Sequence, residues 1–179
     1  MYASSILFDA RSSGAQLPRH LSALKRDARY REGKRELLLV DDTGDQRLPG
    51  LASRFGVTLV PCRRCPLGER LNVAVAASQG ELLLFPGGVL RGFHPWLDNQ
   101  LSDVGQQEWD AALLQVRRKS VLLRLLNWLY RSSPTDTFCV TRSWFERIGG
   151  FDPELEHEAL PELIERLRAC QARISVEGI

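Results

Sequence analysis

Long apolar runs are missing from this chain of 179 residues, and so is a marked excess of either charge. No uninterrupted stretch approaches the ~18 apolar residues that a membrane-spanning helix needs. Met1 to Phe8 lacks the basic region and apolar stretch of a secretory leader, so the expectation is a cytoplasmic protein without a transmembrane segment. Lys and Arg number 24 against 22 for Asp and Glu, a formal net charge of +2. Nucleic-acid binding normally needs a concentrated basic face, and this balance argues against it. Metal-ligating residues are also few. The histidines, His20, His94 and His157, are scattered, and the cysteines are Cys62, Cys65, Cys139 and Cys170. A structural zinc site takes four ligands, usually from two close pairs, and only one C-x-x-C is present. Repeats, linkers and low-complexity tracts are absent too, which leaves one domain over residues 1–179.

That lone pair, Cys62-Arg63-Arg64-Cys65, lies between an expected strand and an expected helix. A thioredoxin-like redox pair would sit there, with the arginines lowering a thiol pKa. The plainer reading is a pair of reduced thiols at a strand-to-helix corner, preferred because so short a motif often arises by chance.

What is present is an ordinary globular composition, 44% hydrophobic and 26% charged. At this length on the order of 70% of the unfolded chain's surface is buried on folding, enough for a real core. Short apolar runs alternate with helical patterns, which predicts βαβ units on a mostly parallel sheet. Strands are expected at Ser5 to Asp9, Glu36 to Val40, Val57 to Val60, Glu81 to Phe85, Trp109 to Val116, Thr137 to Thr141 and Arg173 to Val176. Helices are expected after Leu17, with Pro18 in the first turn, from Leu48 to Phe55 closed by Gly56, from Leu67 to Ser78, from His94 to Leu101 and from Pro161 to Cys170. The most amphipathic segment is Ser120 to Arg131, preceded by Arg117, Arg118 and Lys119. Val121, Leu122, Leu125, Trp128 and Leu129 form its apolar side. It is read as a core-facing helix, with peripheral membrane contact through 117–131 as the alternative.

Ligands of open α/β sheets bind in the crevice outside the carboxyl ends of the strands. Two of those ends contrast. Leu37-Leu38-Leu39-Val40 runs into Asp41-Asp42-Thr43-Gly44-Asp45, whereas Leu82-Leu83-Leu84-Phe85 runs into Pro86-Gly87-Gly88-Val89. The acidic end offers acceptors for ribose hydroxyls or base N–H groups. It also suits a self-capped turn, since Asp at such ends bonds its own backbone. The bare end has no side chain able to hold a metal or move a proton.

Four segments, in this order, resemble the family 2 inverting glycosyltransferases of GT-A fold, in particular the small soluble bacterial ones. Glu36-Leu-Leu-Leu-Val-Asp-Asp-Thr-Gly-Asp45 is similar to the family's strand followed by Asp-Asp-Gly-Ser-x-Asp. Gly68-Glu-Arg-Leu-Asn-Val-Ala-Val-Ala-Ala-Ser-Gln-Gly-Glu-Leu-Leu-Leu-Phe85 resembles the helix with a central Asn, the Gly and the strand that carries the metal motif. Phe138-Cys-Val-Thr-Arg-Ser-Trp-Phe-Glu-Arg-Ile-Gly-Gly-Phe-Asp152 looks like the acceptor-side strand, helix and Gly-Gly-Phe-Asp turn. Leu163-Ile-Glu-Arg-Leu-Arg-Ala-Cys-Gln-Ala-Arg-Ile174 resembles the helix and strand after the catalytic acid. Together they cover most of residues 36–174.

The resemblance implies an α/β, Rossmann-like, mixed and mostly parallel sheet flanked by helices, as in nucleotide-diphospho-sugar transferases. It implies a nucleotide-sugar donor, with Asp42, and Asp41 and Asp45 nearby, on the base or ribose, Asp9 at the end of the first strand, and Arg70 and Asn72 near the donor phosphates. Departures from the pattern are as informative. Gly87-Gly88-Val89 replaces the family's Asp-x-Asp, so a divalent metal is not supported, because hard cations need oxygen ligands. Inverting transfer needs a carboxylate base, yet Ala159 and Leu160 align with the family's Glu-Asp pair; Glu158 is the candidate base, and a solvated acidic helix start is its plain alternative. The first strand ends in Asp9-Ala10-Arg11 where the family has Pro and Asn-Glu. Two functions stay open: a sugar transferase in which Arg63, Arg64, Arg70 or Arg91 replaces the metal, and a non-catalytic GT-A-like binding or regulatory module, a pseudoenzyme partnering a glycan-assembly system.

Overall fold

The computed structural model describes residues 3–25, 35–87, 96, 108–115 and 137–178. The helices expected at His94 to Leu101, apart from Trp96, and at Ser120 to Arg131 lie outside the described residues, and with them the proposed membrane contact through 117–131.

Among the described residues seven strands form one sheet: β1 Ser4–Asp9, β2 Arg35–Asp41, β3 Thr58–Pro61, β4 Leu82–Phe85, β5 Ala111–Gln115, β6 Thr137–Thr141 and β7 Ile174–Gly178. Their order is β3-β2-β1-β4-β6-β5-β7. Only β6 runs against its neighbours; all other pairings are parallel. The mixed, mostly parallel sheet expected from the alternating pattern is therefore present. Among the described residues the helices are α1 Ala10–Ser13, α2 Leu17–Lys25, α3 Leu48–Phe55, α4 Leu67–Ala76, α5 Arg142–Arg147 and α6 Ala159–Ala169, with a 3-10 turn at Gly14–Gln16. No helix among them is long and apolar enough to cross a membrane.

The central strands β1, β2 and β4 carry continuous apolar runs because both faces of the sheet are covered there. Ile6, Phe8, Leu37, Leu39, Leu82 and Leu84 face one side, where Leu21 and Leu24 of α2 and Ala52 and Phe55 of α3 meet them. Leu7, Leu38, Val40, Leu83 and Phe85 face the other side and pack on α4, α5 and α6. Each fully buried Leu or Phe contributes about 1.5–3 kcal/mol relative to exposure. Gly56 ends α3 in the left-handed region at φ 67°, donating its N–H to Ala52 and Ser53. Gly68 serves closeness instead. A Cβ there would lie 1.9 Å from the carbonyl oxygen of Asp152, so only glycine lets α4 lie against the loop before α6.

The chain adds β2 and β3 on one side of β1 and then crosses to place β4 on the other. This is the topological switch point at which open sheets bind ligands. Asp9 stands at the end of β1, beside it.

Candidate functional site

Helix α4 starts the site. Leu67, Arg70, Leu71, Ala74 and Val75 fall on one stripe at i, i+3, i+4, i+7 and i+8, so the stripe that faces the sheet carries a guanidinium into the core. The Arg70 side chain is 0% exposed. A buried charge requires partners, and Arg70 finds them on every side. Its Nε donates to Asp9 Oδ1 at 2.9 Å and its Nη2 to Asp9 Oδ2 at 3.3 Å. The same Nη2 donates to Glu156 Oε1 at 3.0 Å. Nη1 donates to the Cys65 carbonyl at 2.5 Å and to Asp42 Oδ2 at 3.5 Å. A guanidinium has five N–H donors, and these contacts use them all. Burial alone would lower the Arg70 pKa, but the hydrogen bonds to Asp9 and Glu156 hold it above the ordinary value.

Each carboxylate has a distinct local origin. Asp9 leaves β1 as the N-cap of α1, its Oδ2 accepting from Ser12 N at 2.9 Å and Ser12 Oγ at 2.6 Å. Asp42 follows the last residue of β2, and Arg11 from α1 closes over it with a hydrogen bond to Oδ2. Its other oxygen, Oδ1, is buried and has no hydrogen-bond partner among the described residues. Glu156 reaches in from the loop before α6, with Oε2 accepting from Leu67 N at 2.9 Å. Burial would raise the Glu156 pKa, but Arg70 and the Leu67 N–H outweigh it and bring it below the ordinary carboxylate range.

Of the residues singled out from sequence, Asp9, Asp42 and Arg70 thus meet in one cluster. Asp41 and Asp45 serve the turn. Asp41 Oδ1 accepts from Thr43 N and Oγ1, both at 2.7 Å. Asp45 accepts from Arg47 N at 2.9 Å, and the Arg47 side chain brings its pKa down to about 2. Asn72, expected near the donor phosphates, holds the Gly-Gly-Phe-Asp turn. Its Nδ2 donates to the Phe151 carbonyl at 2.8 Å, and its Oδ1 accepts from Phe151 N at 3.0 Å. Arg70, expected there too, is saturated by protein acceptors.

Glu158 is exposed at the start of α6, while Glu156, two residues earlier, is the acid that enters the cluster. Sequence reasoning missed Glu156 and Arg11. Neither has a local signal, since Glu156 is one of several acids in a loop and meets Arg70 across 86 positions. Arg70 did carry a signal: a lone cation on an apolar helical stripe demands buried acids.

The bare end of β4 is packed rather than polar. Phe85 stacks on Phe138 and Phe145 and meets Phe151 edge-on at 5.1 Å. Gly87 is buried, and its N–H donates to Thr137 Oγ1 at 3.1 Å. A divalent metal bridging two phosphates needs several oxygen ligands. Gly87, Gly88 and Val89 supply none from their side chains, and among the described residues no three His, Cys, Asp or Glu group as a metal site. Asp9 and Glu156 have both oxygens engaged. The described residues do not fit that metal.

The thiols of the C-x-x-C also border the cluster. Burial, then the neighbouring Cys65 and Asp42, push Cys62 up to about 11, and burial followed by Glu69 raises Cys65. The arginines between them do not activate either thiol.

No family model matches the sequence, and no curated protein does. Solved structures do match in fold. A mannosyltransferase from Pyrobaculum calidifontis, in complex with GDP-Man and Mn2+, superposes with a TM-score of 0.68 at 16% identity, over 98% of this chain and 55% of that one. Glucosyl-3-phosphoglycerate synthase from Mycobacterium tuberculosis, in complex with Mn2+, UDP and phosphoglyceric acid, gives 0.68 at 18% over 99% and 68%. TarS 1-349 from S. aureus gives 0.63 at 18% over 99% and 58%. This chain therefore spans little more than half the length of two of these neighbours. The fold is that of the GT-A glycosyltransferases.

Proposed function

We propose that this chain is a glycosyltransferase-like module that binds the nucleoside part of a nucleotide sugar at the ends of β1 and β2, without the metal-dependent transfer usual for its fold. The observation that carries the reading is the buried Oδ1 of Asp42, at the carboxyl end of β2, which has no hydrogen-bond partner among the described residues. A buried acceptor without a donor costs about 1–3 kcal/mol, and a nucleobase N–H or ribose hydroxyl is the kind of group that relieves it. The fold neighbours add support, since one is a complex with GDP-Man and another a complex with UDP.

The loss of transfer rests on the engaged acids. A general base needs a free carboxylate oxygen within reach of the acceptor hydroxyl. Glu156 has both oxygens bonded, to Arg70 and to Leu67 N. Asp9 is bonded to Arg70 and Ser12. Glu158 remains the candidate base of the competing reading, a metal-free transferase. The exposed Arg63 and Arg64, on the loop after β3, favour that reading as anion clamps.

Titration calorimetry with UDP-sugars and GDP-sugars, paired with an assay for released nucleoside diphosphate, separates the two. Binding without release is expected. Absence of binding by either nucleotide overturns the proposal, and release that depends on Glu158 establishes the transferase instead.

A further inference from the structure

We propose that Arg11 is the phosphate-binding cation of the crevice: it pairs with Asp42 in the free chain and passes to the ligand's phosphates when a nucleobase takes Asp42. The site thereby selects nucleoside diphosphates over nucleosides. The inference rests on the nucleotide-binding reading and adds to it a residue and a selectivity.

Two guanidinium groups share Asp42, and they differ in freedom. Arg70 Nη1 approaches Oδ2 at 3.5 Å, and Arg11 Nη2 lies closer to the same oxygen. The Arg70 side chain is 0% exposed and is also held by Asp9, Glu156 and the Cys65 carbonyl. Arg11 has a side chain 37% exposed, and among the described residues it donates to Asp42 alone. Moving Arg70 breaks the whole cluster; moving Arg11 breaks one ion pair at its rim. Arg11 is therefore the cation that can leave.

The main chain need not follow it. Asp9 caps α1 through Ser12 N and Oγ, and Ala10 is buried, which fixes the backbone on both sides of Arg11. A half-exposed side chain on such an anchor turns between rotamers within nanoseconds.

With Arg11 in place the Asp42 side chain is 0% exposed, and its Oδ1 has no hydrogen-bond partner among the described residues. Arg11, as the exposed partner, is the group that an incoming ligand displaces. Displacement alone is unfavourable, because a buried carboxylate loses its closer cation. A nucleobase N–H donating to Asp42 offsets part of that loss, yet it offers the released guanidinium nothing. Phosphate oxygens supply the second half, since a guanidinium binds them through paired N–H groups. A nucleoside diphosphate carries both groups on one molecule. A nucleoside carries only the first.

The place of Arg11 in the fold suits this role. It follows β1 directly, beside the point where the chain crosses from β2 and β3 to β4. Phosphates that Gly87, Gly88 and Val89 cannot hold through a metal would find a cation there. Arg63 and Arg64 are exposed as well, but among the described residues neither is paired with Asp9, Asp42 or Glu156. Base contact at Asp42 does not release them.

The test compares UDP with uridine, and GDP with guanosine, by titration calorimetry on the parent chain and on R11Q. For the pair that binds, R11Q should weaken the diphosphate about tenfold or more, the scale of one charge-assisted hydrogen bond, and leave the nucleoside as tight as before or tighter. An unchanged diphosphate affinity overturns the proposal and points to Arg63 and Arg64. Equal weakening of both ligands also overturns it, because Arg11 would then only support the site.

A second measurement uses the parent chain alone, so it does not depend on how R11Q folds. Phenylglyoxal modifies accessible guanidinium groups, and mass spectrometry of the digest reads the labelling of Arg11. Saturating nucleoside should raise that labelling and saturating diphosphate should lower it. The same change with both ligands, or none with either, overturns the proposal. Absence of binding by all four ligands refutes the nucleotide reading itself, a result distinct from binding that ignores Arg11.

Discussion

The carboxyl ends of β2 and β4 flank β1 in one sheet, yet one side of the crevice is charged and the other is aromatic. Beside β1 and β2, Asp9, Asp42 and Glu156 surround Arg70, with Arg11 over Asp42. At the end of β4, Phe85 packs among Phe138, Phe145 and Phe151 and leads to a buried glycine. The sheet needs only apolar continuity from β4, which Leu82 to Phe85 supply whatever follows them. Polar groups at a strand end can therefore be lost without touching the core, and half of a site can persist on an intact fold.

The largest effect should come from the charged side. Replacing Arg70 with Met leaves buried carboxylates without their cation, and breaking such a cluster costs about 3–5 kcal/mol. Urea unfolding should show that loss, and R70K should recover only part of it, because an ammonium cannot reproduce the planar fork. D42N should weaken UDP binding about tenfold, or about 1.4 kcal/mol, by calorimetry. An unchanged affinity would remove Asp42 from the ligand's contacts.

On the aromatic side, T137V removes the Gly87 N–H partner. It should cost about 1 kcal/mol of stability and leave UDP affinity unchanged. The smallest effect is pH-dependent. Glu156 titrates lower in the folded chain than its ordinary 4.5, so the stability it contributes is present above that value and is lost as pH falls through the lowered one. E156Q should be less stable than the parent at neutral pH, with the gap closing in acid. A gap that persists in acid would assign Glu156 a role other than its charge.

Most of the sheet was legible because its strands are short apolar runs with clear punctuation. Gly56 ends α3 as its position implied, and Thr137 to Thr141 forms β6 over the expected residues. Residues 10–16 were not legible. They fold as a four-residue helix and a 3-10 turn, too short for any periodicity to register. Asp9 followed three positions later by Ser12 was the available sign of an N-cap. In the site, the acidic run at Asp41 to Asp45 divided by geometry, with Asp42 turning inward and its neighbours capping the turn. Asn72 was conspicuous in the motif, but its partner is the Phe151 backbone, a tertiary contact that spacing along one helix does not encode.

The most direct test of a nucleoside site without a metal site is the dissociation constant of UDP for the parent chain, measured once in excess Mn2+ and once in a chelator. Binding through Asp42 and its surroundings predicts the same constant in both, within about twofold, or about 0.4 kcal/mol. Tightening by about tenfold or more in Mn2+ would place a metal between protein and phosphates and contradict the account.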